Sequence, residues 1–207
     1  MEILDLLKQM KELYSSSINK VNFLKIPPLK YLMIDGEGNP NTSQEYKDSL
    51  QALYSLAYAL KFAIKKGRLP IDFKVMPLEG LWWVEDMNLF DVNNKDDWKW
   101  TMMILQPDFI KDDLFSEIQE HVIRKKGLVH AKKIKLEQYL EGDCAQILHR
   151  GPYSAEGENI EKLHTTILDH GFRRKGKHHE IYLNTPLKTA PENLKTIIRQ
   201  PIEKILG

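Results

Sequence analysis

Apolar residues along the chain recur at two spacings, three or four apart in some stretches and two apart in others, with glycine and proline marking most of the changes. Ile3, Leu6, Leu7, Met10 and Leu13 follow helical spacing and predict a short amphipathic helix ahead of the main body. Pro27-Pro28 closes one extended segment and opens another, Leu29 to Asp35, in which Tyr31 and Met33 alternate with Leu32 and Ile34. Gly36, Gly38 and Asn39-Pro40 break that strand, the glycines fitting a turn with positive backbone angles. Thr42 or Ser43 then caps a long helix whose inner stripe is Leu50, Leu53, Leu56, Ala57, Leu60 and Ile64, stopped by Gly67 and Pro70.

Ile71 to Val84 reads as one or two strands interrupted near Gly80, and Asp91 to Asp97 as a polar loop. Trp98 to Leu105 is a strand with Trp98, Trp100, Met102 and Ile104 on one face, closed by Pro107, and Phe109 to Arg124 is a second long helix. Ile134 to Tyr139 and Asp143 to His149 read as two strands joined at Glu141-Gly142. After Arg150-Gly151-Pro152 a helix runs from about Ala155 to His170 with Ile160, Leu163 and Ile167 inside; Gly171 stops it, and His178 to Asn184 is a further strand.

The second half thus repeats the order of the first: strand, glycine and proline turn, helix, glycine stop, then a strand that holds a glutamate, Glu79 in one case and Glu180 in the other. This predicts an α+β protein built from a duplicated β-α-β-β module, about 26–106 and 130–205, after an N-terminal helix and lead-in over 1–25. Curved antiparallel sheets would surround a central ligand cleft with helices behind.

Composition narrows the function classes. The 207 residues suffice for a full core, and 30 basic against 29 acidic residues give a formal charge of +1, so no broad electrostatic footprint for nucleic acid exists. The single cysteine, Cys144, rules out an intrachain disulfide and fits a reducing cytoplasm. No apolar run approaches the ~18 residues of a membrane helix, and the N-terminus mixes charges into its apolar pattern. A soluble cytoplasmic protein that engages neither nucleic acid nor membrane is the expectation.

Strand alternation directs attention to His178-His179-Glu180-Ile181-Tyr182-Leu183-Asn184. Ile181 and Leu183 share one face, suited to a core beneath helices; Glu180 and Tyr182 share the other, and a carboxylate beside an aromatic there calls for either a ligand cleft or a solvent face. His178 and His179 point to opposite faces, and His164 and His170 lie six apart on a helix, so neither pair suits a metal. Cys144 and His149 also fall on opposite faces, which favours a structural thiol. Arg173-Arg174-Lys175-Gly176-Lys177 reads as a solvated turn, and Gly36-Glu37-Gly38 lacks the glycine pattern and lysine of a phosphate loop.

Three segments, Tyr31 to Pro40, Pro77-Leu78-Glu79-Gly80-Leu81-Trp82-Trp83 and His179 to Asn184, together resemble the GyrI-like small-molecule-binding family over roughly Ile26 to Ile202. The resemblance implies a duplicated β-α-β-β fold whose ligand cleft holds the glutamate of the last strand, which matches Glu180. Many members follow that strand with Asp-Pro, where this chain has Asn184-Thr185-Pro186. About 26 residues precede the first strong strand, too few for a helix-turn-helix reader, so a stand-alone ligand domain is expected. Some stand-alone relatives are similar to cyclopropanoid hydrolases, which open the cyclopropane of DNA-alkylating natural products; others only bind, or are linked to protection of DNA gyrase.

On that resemblance Glu180 would orient and partly deprotonate water, and Tyr182 would hydrogen-bond the oxygen that gains charge or hold the carboxylate. Tyr31, Trp98, Trp100, Met102, Tyr153 and one of Trp82 and Trp83 would wall a planar aromatic or hydrophobic cationic ligand. Glu79 would be a second cleft carboxylate or a turn residue beside Gly80. Neither a cofactor nor a metal is implied. A detoxifying hydrolase and a drug-binding or gyrase-modulating protein without turnover both stay open.

Overall fold

A computed structural model describes residues 2–67, 71–87 and 94–205. In chain order the elements are β1 (Glu2–Leu4), α1 (Leu6–Gln9), β2 (Asn22–Ile26), β3 (Leu29–Glu37), α2 (Gln44–Lys65), β4 (Ile71–Phe73), β5 (Leu78–Trp83), β6 (Lys99–Leu105), α3 (Asp112–Lys126), β7 (Lys135–Tyr139), β8 (Gly142–Arg150), α4 (Gly157–Asp169), β9 (Phe172–Arg174), β10 (His178–Tyr182) and β11 (Lys195–Lys204). The fold is α+β, as expected, with antiparallel sheets carrying most of the strands. Pro70 and the 91–93 part of the polar loop lie outside the described residues.

The chain separates into two compact units that interleave in sequence, one formed by 1–9, 29–76 and 94–139, the other by 10–28, 77–93 and 140–207. In the first unit β3 is flanked by β6 and β7, both antiparallel to it, while β1 and β4 form a separate parallel pair. Ser43 caps α2, its hydroxyl accepting from the Tyr46 amide at 3.2 Å, which satisfies one of the four unpaired amides of that helix end. Ala52, Leu53, Leu56, Ala57 and Leu60 form the buried stripe of α2. Lys61 and Lys65 tie the helix to Asp72 of β4 at 3.2 and 2.6 Å.

Gly36 has a different purpose from the turn expected of it. It lies within β3, opposite Trp100 of β6, and the Trp100 indole occupies the space a Cβ would need. Close packing therefore demands glycine there, and the positive backbone angle belongs to Gly38, at φ 91°. The expected 3–13 helix is also reduced to the four residues of α1, because Ile3 is taken into β1 and paired with Asp72. The break in 71–84 falls at Lys74–Pro77, so Gly80 sits inside β5 instead of interrupting it.

The second unit is an antiparallel sheet in the order β2-β8-β11-β10-β5, with β9 paired to the far end of β11. β7 and β8 do not form the hairpin that their adjacency suggests, since β7 pairs with β3 and β8 with β2 and β11. β11, the longest strand, is not among the elements the apolar pattern predicts. Its Pro201 is accommodated beyond the last residue paired with β10, where the missing amide breaks no β10 ladder bond.

Ala145 and Ile147 of β8 and Ile198 and Ile202 of β11 meet Leu163 and Ile167 of α4 in one apolar cluster with Val21. Directly paired residues of antiparallel strands point to the same face, and Ile198 pairs with Glu180. The helix-covered face is therefore the Glu180 face, which reverses the assignment of helix-covered core to Ile181 and Leu183. Alternation says which residues share a face, not which face the helix covers, and β10 is buried on both sides: His178, His179, Glu180 and Ile181 are all less than a tenth exposed.

Candidate functional site

Two polar constellations grow from the two faces of β10, both wholly within the second unit. On the Glu180 face, His178 Nε2 donates to Glu180 Oε1 at 3.0 Å and the Tyr182 hydroxyl donates to Glu180 Oε2 at 2.7 Å. Trp82 of β5 pairs with His178 and donates from its indole nitrogen to the Tyr182 oxygen at 3.1 Å. Tyr153, in the short turn before α4, stands edge-on to the Tyr182 ring with centroids 5.6 Å apart. Gly80 is directly opposite Glu180 on β5 and presents no side chain between the rings and the carboxylate.

This geometry is chemically specific. Glu180 is 8% exposed, with His178 donating to one oxygen and Tyr182 to the other, so its orientation is set from both ends. A carboxylate so held can take a proton from a water or face a ligand cation. Tyr182 holds the carboxylate, its hydroxyl proton being committed to Glu180. Behind His178, Arg174 of β9 donates to Nδ1 of His164 on α4 at 3.1 Å. Burial, then Arg174 and His178, push His164 down to about 3, so it is neutral with its proton on Nε2.

On the opposite face the arrangement is ionic and closed. His179 donates from Nδ1 to Glu141 at 2.7 Å and from Nε2 to Glu79 at 3.0 Å; with a carboxylate on each ring nitrogen it carries both protons and a positive charge. Arg199 of β11 donates to the second Glu141 oxygen at 3.1 Å, to Gln146 Oε1 at 2.9 Å and to the Leu13 carbonyl at 2.6 Å. The Tyr14 hydroxyl donates to Glu79 at 2.6 Å and Gln146 donates to the Ser15 carbonyl at 3.0 Å. Two cations thus face two carboxylates, and the lead-in segment around Leu13 to Ser15 is bonded onto the sheet by them.

Burial alone would raise the Glu141 carboxyl, but the His179 and Arg199 cations outweigh it and hold the group below its ordinary range. Burial alone would lower His179, and the Glu141 charge with the bonds to both glutamates raises it instead. Cys144, on this side of β8, is buried, and that burial pushes its thiol up out of the reactive range.

The structure brings Glu180, Tyr182, Trp82 and Tyr153 together. It places Glu79 and Trp83 on the other face of β5, with Glu79 fully buried in the ionic cluster and Trp83 beneath the Lys177 ammonium at 3.3 Å from its centroid. Glu79 is the second residue of β5 and lies in the strand, not in a turn. Tyr31, Trp98, Trp100 and Met102 belong to the first unit and are nearly fully buried. Trp100 and Met102 lie on the face of β6 that meets α2 through Tyr46, and Tyr31 lies on the opposite face. Lys95 stands 4.9 Å from the Trp98 ring.

Sequence reasoning missed His178, His179, Glu141, Gln146, Arg199 and Tyr14. Arg199 left a visible signal, a cation set between Ile197 and Pro201 on one face of its strand.

The model of the GyrI-like small molecule binding domain matches residues 19–203, and the chain belongs to that family. A solved uncharacterised conserved protein from Listeria innocua is 37% identical, with TM-score 0.89, and the alignment covers 97% of this chain and all of that one. Two structures described as hydrolases from Listeria innocua are 36% and 33% identical, with TM-scores of 0.87 and 0.84, over 98% and 97% of this chain and all of each. No curated protein sequence matches the chain. Among the described residues no helix is long and apolar enough to cross a membrane.

Proposed function

We propose that the chain binds a flat, largely apolar small molecule at the Glu180 face of β10 and hydrolyses the cyclopropane ring of cyclopropanoid DNA-alkylating compounds in the cytoplasm. The observation that carries this reading is the Glu180 carboxylate, held at both oxygens by His178 and Tyr182 and lying beside the rings of Trp82, Tyr182 and Tyr153. Water adds through its oxygen to the less hindered cyclopropane carbon as Glu180 takes one of its protons. The strained carbon–carbon bond breaks, its electron pair restores aromaticity in the adjoining dienone, and the former carbonyl oxygen receives the proton to give a phenol. Substrate and one water become one ring-opened alcohol. Strain and aromatisation supply much of the driving force, so positioning water and substrate is the protein's main task. The hydrolase descriptions of the two Listeria structures support a hydrolytic reading.

A second reading, binding without turnover, is favoured by one observation: the Tyr182 proton is already used on Glu180, so it does not serve the oxygen that gains charge. Glu180 would then be the counter-ion of a hydrophobic cation. Incubation with a cyclopropane-containing dienone, followed by mass spectrometry, separates the two. Many turnovers per protein that vanish in Glu180→Gln support the hydrolase, and stoichiometric binding without ring-opened alcohol refutes it.

A further inference from the structure

We propose that His178 is the positioning residue of the Glu180 site, its Nε2–H fixing the carboxylate in the orientation and charge state the site uses. This rests on the reading of Glu180 as the site carboxylate. Side chains two apart on a strand share a face, and there His178 and Glu180 meet at 3.0 Å. The residue is 2% exposed, and a buried histidine set against a carboxylate is an expensive arrangement for packing alone, since an apolar side chain would fill the same space without desolvating a ring.

The surroundings favour His178 over its neighbours for this role. Among the groups that face the pair are Tyr182 from the same strand, Trp82 from β5, His164 from α4 and, bonded to His164, Arg174 from β9. Trp82 donates to the Tyr182 oxygen, and Arg174 to His164. His164 accepts from Arg174 and is held neutral, so it does not supply a cation to the carboxylate. His178 is a nitrogen donor in direct contact with the carboxylate. Its Nε2 is the ring nitrogen set against the carboxylate oxygen, and a carboxylate partner selects a proton there. Tyr182 and His178 then hold the two oxygens from opposite ends, and loss of either frees the carboxylate to rotate and to take up a proton more readily.

The test compares two amide substitutions that differ in reach. The amide nitrogen of His178→Gln can take the place of Nε2, whereas that of His178→Asn is shorter by one methylene and falls short of Oε1. Protein labelled with carboxyl-13C glutamate is titrated by NMR, with the Glu180 resonance assigned by its absence in Glu180→Gln. We expect the Glu180 midpoint to rise by about one to two pH units in His178→Asn, roughly a ten- to hundredfold change in its ionisation constant, and to return most of the way in His178→Gln. His178→Ser serves as the short variant should His178→Asn not fold. A midpoint unmoved by the short variant, or moved equally by both amides, overturns the proposal. Because the readout is the carboxylate itself, it stands whether or not the protein turns over a cyclopropane, and a failure of the hydrolase reading is seen separately in the mass-spectrometric assay.

Discussion

Replacing Glu141 by glutamine strikes the ionic cluster at its most connected point. Glu141 accepts from His179 at 2.7 Å and from Arg199 at 3.1 Å, and all three side chains are at most 2% exposed. Two charge-assisted bonds, at about 1.5–3 kcal/mol each, are weakened, and the amide turns an NH2 toward a cation. Removing one partner of a buried ion pair costs about 3–5 kcal/mol, and that is the loss expected here. At roughly 2–4 °C per kcal/mol for a chain of this size, the midpoint of thermal unfolding falls by about 6–20 °C.

The pH dependence gives a second signature. Glu141 is depressed, so its contribution is whole above its ordinary value of 4.5 and is lost as pH falls through its folded value. His179 is raised, so its contribution is whole below 6.5 and is lost as pH rises through its folded value. The cluster therefore contributes most between those limits, and in Glu141→Gln the alkaline loss is smaller and begins at lower pH. Urea unfolding across the pH range, with the double variant Glu141→Gln/His179→Gln closing a cycle, measures both effects. A cost under about 1 kcal/mol, far below what a buried pair loses, or two single costs that simply add, would refute the account.

Tyr182→Phe removes the donor to Glu180 Oε2 and is expected to lower kcat/KM for a turned-over cyclopropane by about 10- to 100-fold, the equivalent of one hydrogen bond to a charged group, measured by steady-state kinetics. Gly36→Ala puts a methyl where the Trp100 indole lies and should destabilise by about 1–3 kcal/mol, read from urea denaturation. Tyr14→Phe leaves Glu79 one donor short in a fully buried site, at a cost of about 1–3 kcal/mol. Limited proteolysis of the same variant should cleave sooner near Leu13 to Ser15, since that segment loses one of its ties to the sheet.

Local chemistry was readable where one stretch decides the outcome. The cap at Thr42 or Ser43, the inner stripe of α2, the helix around Leu163 and Ile167 and the strands of Tyr31 and Glu180 all followed from spacing and punctuation, and the structure takes Ser43 as the cap. Pairing across the chain was not readable. That β5 lies against β10, placing Trp82 beside Tyr182 and Glu79 beside His179, depends on long-range register that one strand's alternation does not contain. Glu141 sits in a two-residue connection and announces no buried partner; Arg199 stands out as a cation in its strand, but its partner lies far off in the chain. Parity correctly separated His178 from His179, but only the structure gives Glu180 to the first and Glu141 and Glu79 to the second.

A crystal structure with a ring-opened cyclopropanoid alcohol bound tests the central claim most directly. The account predicts the new hydroxyl within hydrogen-bond reach of a Glu180 oxygen, directly or through one water, with the ring system against Trp82, Tyr182 or Tyr153. A ligand seated elsewhere, with the His178 and Tyr182 bonds to Glu180 unchanged and no contact to that carboxylate, would contradict it.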